Sequence, residues 1–237
     1  MTTTPSYQLS IAAIKPTEIP SEDTILALGR ELIESTKTWK QGKTYVKGNV
    51  LTFSRPKRPG DGAPWHCRVS EHTKEDATFE EFWSKLGVNK AHNEKEFIGA
   101  IKKVAQVRHI SPTQSIWTLY YTFPPPVSPR VFTVLQTTHL DESLPRTGII
   151  VSIPIDLSED EELSKIEEKA TRGRYVSVER LLELENGRVE WRMATSSTPG
   201  GNIPSFISEG SMPSQISADV PHFLKWFHTI REEQAGN

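Results

Sequence analysis

His66 and Cys67 are neighbours, and a thiol beside an imidazole is the simplest arrangement for nucleophilic chemistry, because the base generates the thiolate. Both fall in a run that reads as a strand, Trp65 to Glu71, where successive side chains point to opposite faces. The two groups therefore point apart and do not form a couple. His66 and His72 share a face of that strand, at a separation too long to chelate one metal. Glu80 and Glu81 are adjacent carboxylates, but Thr78 lies three residues before Glu81, and this is the spacing of a capping box rather than an acid/base pair. The seven histidines are otherwise scattered, and the single cysteine excludes an intrachain disulfide and a cysteine zinc cluster. There is no phosphate-binding glycine loop, dinucleotide fingerprint, HExxH pair or GxSxG elbow. Sequence alone assigns no catalytic residue, no metal ligand and no cofactor.

The elements that would position any site follow from periodicity. Residues 1–20 are rich in Thr, Ser and Pro and read as a loose lead-in. Ile25, Leu28, Leu32, Thr36 and Trp39 recur at helical spacing behind a Ser21 cap, which predicts a helix to about Trp39. Lys47-Gly48-Asn49 reads as a turn into a strand from Val50 to Arg55, and the loop Arg55 to Gly62 carries two prolines and two glycines. After the strand at Trp65, the capped helix places Phe79, Phe82, Trp83 and Leu86 on one face, and Phe97, Ile98, Ile101 and Val104 suggest a second helix over 94–104. The period then becomes twofold, predicting strands over 116–123, 131–140, 148–157, 175–185 and 188–198. Asn186-Gly187 is a hairpin turn, since both residues tolerate positive φ. The acidic stretch 159–169 reads as a short helix or an exposed loop. Val220, Phe223, Leu224, Phe227 and Ile230 mark a terminal helix, capped by Ser217 or Asp219, with a separate turn over 203–207. A long antiparallel sheet curves under its own twist, and a terminal helix needs an apolar surface to cover. The plan is α+β: a curved sheet wrapped around a C-terminal helix, a helix-grip.

The chain has 237 residues and a formal charge of −2 with interspersed signs. No basic field suited to nucleic acid is present. The N-terminus has no signal-peptide core, and no stretch approaches the roughly 18 apolar residues of a membrane span. These features predict a cytoplasmic protein with one domain over 21–237.

Three segments resemble a known family. The strand 65–71 with the capped helix Thr78-Phe79-Glu80-Glu81-Phe82-Trp83 is similar to the second strand and following helix of START (StAR-related lipid transfer) domains. Pro124 to Phe132 resembles the turn that enters a central START strand with an arginine, here Arg130; Val131 stands where the pattern has an acidic residue. Thr198 to Pro204 resembles the Pro/Gly turn before the terminal helix. In order and spacing the chain resembles a fungal START-related group of unassigned function, over about 21–228. The resemblance implies an internal cavity for a sterol, phospholipid, sphingolipid or polyketide-like molecule, with transient membrane contact.

Candidate ligand-facing residues follow from alternation within that fold. Phe132, Val134, Gln136 and Thr138 share a face, placed inward by the resemblance; Gln136 then needs a partner, which a ligand hydroxyl, a neighbouring strand or a water would supply. Trp191, Met193 and Thr195 oppose the charged Arg188, Glu190 and Arg192, so the former face inward and the latter face solvent. Trp65, Cys67 and Val69 read inward in the same way. Arg130 meets the ligand or bonds loop carbonyls, and Phe223 and Phe227 pack on the sheet and roof the cavity. Which of Trp117/Tyr121 and Tyr120 lies inside is open. The basic loop 55–58 reads as solvated. The expected function is binding a hydrophobic molecule without chemistry. A cyclase-like enzyme, with His139 or Glu71 on the cavity wall, and an interaction module with a collapsed cavity are the alternatives.

Overall fold

The structure, a computed structural model, describes residues 7–201 and 205–235. Ser21 caps helix α1 (Glu22–Ser35), accepting from the Thr24 amide. The predicted helix stops short of Trp39 in a single 3-10 turn over 36–38, and strand β1 (Lys40–Tyr45) follows. Strands β2 (Val50–Arg55) and β3 (Trp65–His72) form as the sequence indicates. The capping box at Thr78 and Glu81 starts α2 (Phe79–Leu86).

The predicted helix over 94–104 divides: α3 (Lys90–Phe97) starts earlier, and strand β4 (Ile101–Ser111) replaces its second half. Then come β5 (Gln114–Tyr121), β6 (Arg130–Asp141), β7 (Thr147–Pro154), a single turn α4 (Glu161–Ser164), the two-residue β8 (Thr171–Arg172), β9 (Arg174–Glu183) and β10 (Val189–Thr198). Asn186 and Gly187 between the last two have φ of 61° and 71°, the positive values their types tolerate.

Helix α5 (Ser205–Ala235) begins well before the predicted caps and contains Pro213 and Pro221, each of which removes a backbone donor. Ser217 is not a cap: its hydroxyl donates to the Pro213 carbonyl at 2.7 Å, and Asp219 lies within the helix. The predicted turn over 203–207 falls partly outside the described residues.

The strands form a ten-stranded sheet in the order β1-β2-β3-β10-β9-β7-β6-β5-β4, with β8 parallel to β6. Both faces are covered. On one, α1 packs Ile25, Leu26 and Ile33 against Ile149, Val151 and Val178. The other is concave and receives α2, α3 and α5. Residues 7–20, read from sequence as a loose lead-in, lie against the α1 side: Leu9 is 5% exposed, and Ile14 pairs with Ile155. Their apolar side chains, spaced between Ser and Pro, supply the reason.

The C-terminal half of α5 is tied to α2. Arg231 donates to the Glu81 carboxylate at 3.2 Å and to the Glu75 carbonyl at 3.0 Å, and His228 bonds the Asp76 carbonyl. Glu81 thus serves the cap and the grip helix together. α1 approaches the sheet at Gly29, where an added Cβ would lie 2.6 Å from a Val151 methyl that is fully buried. Gly29→Ala gains about 1 kcal/mol of helix propensity but meets an overpacking cost of about 1–3 kcal/mol. The variant is expected to be net destabilised, read as a lower urea midpoint.

Candidate functional site

The register of the sheet arranges the concave face in rows. One row reads Gln136, Ser152, Ser177, Thr195, His66 from β6 to β3. The next reads Thr138, Ile150, Glu179, Met193, Arg68, and the third Leu140, Gly148, Leu181, Trp191, Ser70. A small polar row thus adjoins a charged row, which adjoins a large apolar row.

The apolar row is filled. Trp191, 1% exposed, packs edge-on to Phe223 (5.2 Å) and tilted to Phe82 (5.7 Å); Phe223 stacks on Phe82 and on Phe227. Here Trp191, Phe223 and Phe227, the sequence-selected roof and wall, close one end of the grip as a ring cluster.

The charged row is held by Glu179. Its carboxylate accepts from Lys90 Nζ at 2.6 Å, from the Trp191 indole at 2.6 Å and from Arg68 at 3.4 Å. Lys90, from α3, also pairs with Glu94 at 2.9 Å. The Arg68 guanidinium is 1% exposed and sits 4.0 Å over the Trp191 ring. Burial alone would neutralise these groups, but pairing outweighs it: Lys90 is raised and Glu179 lowered. Burial raises Glu94, and it raises Asp219 of α5 to about 7.

Tyr175, Ser177 and Met193 lie on the concave face of β9 and β10, in the middle of the sheet, yet each is only half-buried. Asp219 and Tyr121 are also half-buried, although desolvation raises the pKa of both. Each therefore keeps some accessible surface despite its place among packed elements. Tyr121, Phe132 and Tyr175 form an aromatic group there, with centroids 5.2 and 5.7 Å apart. On the same face, Gln136 Nε2 and both ring nitrogens of His66 are buried without partners.

The resemblance placed Phe132, Val134, Gln136 and Thr138 inward and alternation did so for Trp191, Met193 and Thr195; the structure has both sets on the concave face. Trp65, Cys67 and Val69 lie on the opposite face, beneath α1, and this corrects the sequence reading. Both faces are covered, so an apolar set does not mark the inside. Burial there pushes the Cys67 thiol up to about 11.

The face of Glu190 and Arg192, read as solvent-facing, is also under α1. Arg192 bonds Glu190 at 2.9 Å and Thr36 at 3.0 Å, while Arg180 bridges Glu190 and Glu34. These charges are buried because they satisfy one another.

Arg130 is engaged in structure: its guanidinium donates to the carbonyls of Pro199 (2.7 Å), Ser128 (2.5 Å) and Pro129 (3.2 Å), joining the two family-like turns. The basic loop is clasped at Asp61, which accepts from Arg55, the Arg58 amide and Trp65. His139 lies on the α1 side, in a cleft of about 380 Å³, and Glu71 is exposed and pairs with Arg188. Neither is on the concave wall. Trp117, Leu119 and Tyr121 face inward, opposite Tyr120, which resolves the strand left open.

Sequence reasoning missed Arg68, Lys90, Glu94, Glu179 and Asp219, because charge in a strand or helix was taken as a mark of solvent. The available signal was that Arg68 and Glu179 each interrupt an otherwise buried strand, with opposite signs. Among the described residues, no group of His, Cys, Asp and Glu could hold a metal ion, and no helix is long and apolar enough to cross a membrane.

A curved antiparallel sheet gripping a C-terminal helix is the START fold, and comparisons with solved structures show it directly. Human STARD10 superposes with a TM-score of 0.71 at 10% identity, covering 93% of this chain and 86% of that one. Human StAR-related lipid transfer protein 5 gives 0.69 at 12%, covering 89% and 100%. A STAR-related lipid transfer protein from Xanthomonas axonopodis gives 0.63 at 12%, covering 80% and 98%. At these identities the likeness is one of fold. By sequence, the chain belongs to the family described as "Protein of unknown function (DUF3074)", whose model matches residues 65–227. No curated protein matches the chain.

Removing one partner of the buried network leaves the other charge stranded, so Lys90→Met is expected to cost about 3–5 kcal/mol, measured by chemical denaturation. Stability should also fall on both sides of a pH optimum. Asp219 rises from its ordinary 3.8 to about 7 through burial, so folding takes up a proton; its contribution is complete below pH 3.8 and is lost as pH rises through about 7. His72 is lowered from 6.5 to about 4, mainly by burial, so its contribution is complete above 6.5 and is lost as pH falls through about 4. Calorimetry from pH 5 to 8.5 should show Asp219→Asn melting above the parent at pH 8, with the difference narrowing as pH falls below about 7 and still present at pH 5, since it closes only below 3.8.

Proposed function

We propose that the chain binds a hydrophobic small molecule in the space between the concave sheet face and α5, for transfer or sensing, and performs no chemistry on it. The observation that carries this reading is the half-burial of Tyr175, Ser177 and Met193 in the middle of the sheet. Side chains at the centre of a sheet covered by helices are expected to be fully packed unless something else occupies the site.

The wall is mostly apolar, with a few convergent polar groups, as small-molecule sites generally are. Phe132, Val134, Thr138 and Met193 would meet the apolar body, and Gln136 its polar substituents. The START domains that share the fold include proteins whose names describe lipid transfer, and that description supports the reading by analogy of architecture. The filled ring cluster limits the ligand to the half of the grip away from Trp191. Sterols, phospholipids, sphingolipids and polyketide-like molecules are the candidates, and the protein would work in the cytoplasm with transient membrane contact.

Native mass spectrometry of the purified protein should find a co-purifying apolar molecule, and matching ligands should raise the melting temperature by linkage. Gln136→Leu should change the affinity of those ligands. A flat thermal response across all four classes would overturn the proposal.

A further inference from the structure

The ionisable groups of the interior do not balance. Arg68 on β3 and Lys90 on α3 are the cations; Glu179 on β9, Glu94 on α3 and Asp219 on α5 are the carboxylates. Lys90 is taken by Glu179 and Glu94, and Arg68 by Glu179 and the Trp191 ring. Among the described residues Asp219 has no hydrogen bond or ion pair, and the neighbouring Tyr121 carries no positive charge. It also keeps accessible surface, being half-buried. Arg68 has two unpartnered nitrogens, Nε and Nη1, but at 1% exposure they are shielded by protein. The reachable unmatched group is therefore an acid.

An unpaired carboxylate in a desolvated site is neutralised by a proton or by a cation. Resting on the reading of the interior as a ligand site, we propose that its ligand is an amphiphile whose polar end is a protonated amine, paired with the carboxylate of Asp219. The interior cluster then holds three cations against three carboxylates, and the apolar chain runs along the wall of Tyr121, Phe132 and Tyr175. Binding in the acid range displaces the proton from Asp219, whereas an uncharged alcohol leaves that proton in place.

The test compares tetradecylamine, tetradecanol and tetradecanoate by isothermal calorimetry below their micellar concentrations. At pH 8 the amine should bind at least tenfold more tightly than the alcohol. An aliphatic ammonium with a pKa of about 10 stays charged throughout, while Asp219 gains a proton as pH falls, so amine affinity should drop about tenfold from pH 8 to pH 6. The alcohol should show no such drop, and Asp219→Asn should abolish the advantage of the amine. The wild-type pH series decides the matter even if the variant folds poorly. Alcohol or carboxylate binding as tight as amine binding at pH 8 would overturn the amine assignment while leaving the ligand site intact. Binding of none of the three would count against both.

Discussion

The carboxylate of Glu179 receives Lys90, Trp191 and Arg68 at once, and the grip depends on that convergence. It joins a strand near the centre of the sheet to α3, to the next strand and, through the Trp191 ring, to the aromatic cluster under α5. Charges buried this deeply are tolerated only when each has its partners. The network therefore fixes where α3 sits against the sheet. Apolar packing closes one end of the grip, and paired charge lies beside it.

The division of the concave face into rows gives the fold its chemical gradient. Rings fill the end where α2 and α5 are fastened together through Glu81 and Arg231. Small side chains, Ser152, Ser177 and Thr195, occupy the row on the other side of the charges.

Local signals with a fixed geometric meaning were legible in the sequence. The Thr78–Glu81 box and the Asn186-Gly187 turn were readable because capping and positive φ are decided within a few residues. The central strands were readable because one period runs through each. β1 was not, because its residues are nearly all exposed and it is held by backbone pairing without an apolar face. β4 was mistaken for helix because Phe97, Ile98, Ile101 and Val104 are helically spaced across the end of α3 and the start of the strand. The side assigned to Trp65 and Cys67 failed for a non-local reason: α1 covers the second face of the sheet, so burial on β3 alternates apolar and charged without an inside or an outside. Glu179, the partner that Arg68 and Lys90 share, lies 111 and 89 residues from them, a distance that no periodicity spans.

The sheet is open, and its two outermost strands differ from the inner ones. Register shifts occur in the β1–β2 and β4–β5 pairs, whereas the inner antiparallel pairs run without them. The same two strands carry Lys40, Lys43, Lys102, Lys103 and Arg108. Bulges and cations make an edge a poor template for a further strand. A protein that must keep a wide, twisted sheet open to grip a helix thereby avoids offering that sheet for growth, and irregularity at the margins protects it from self-association.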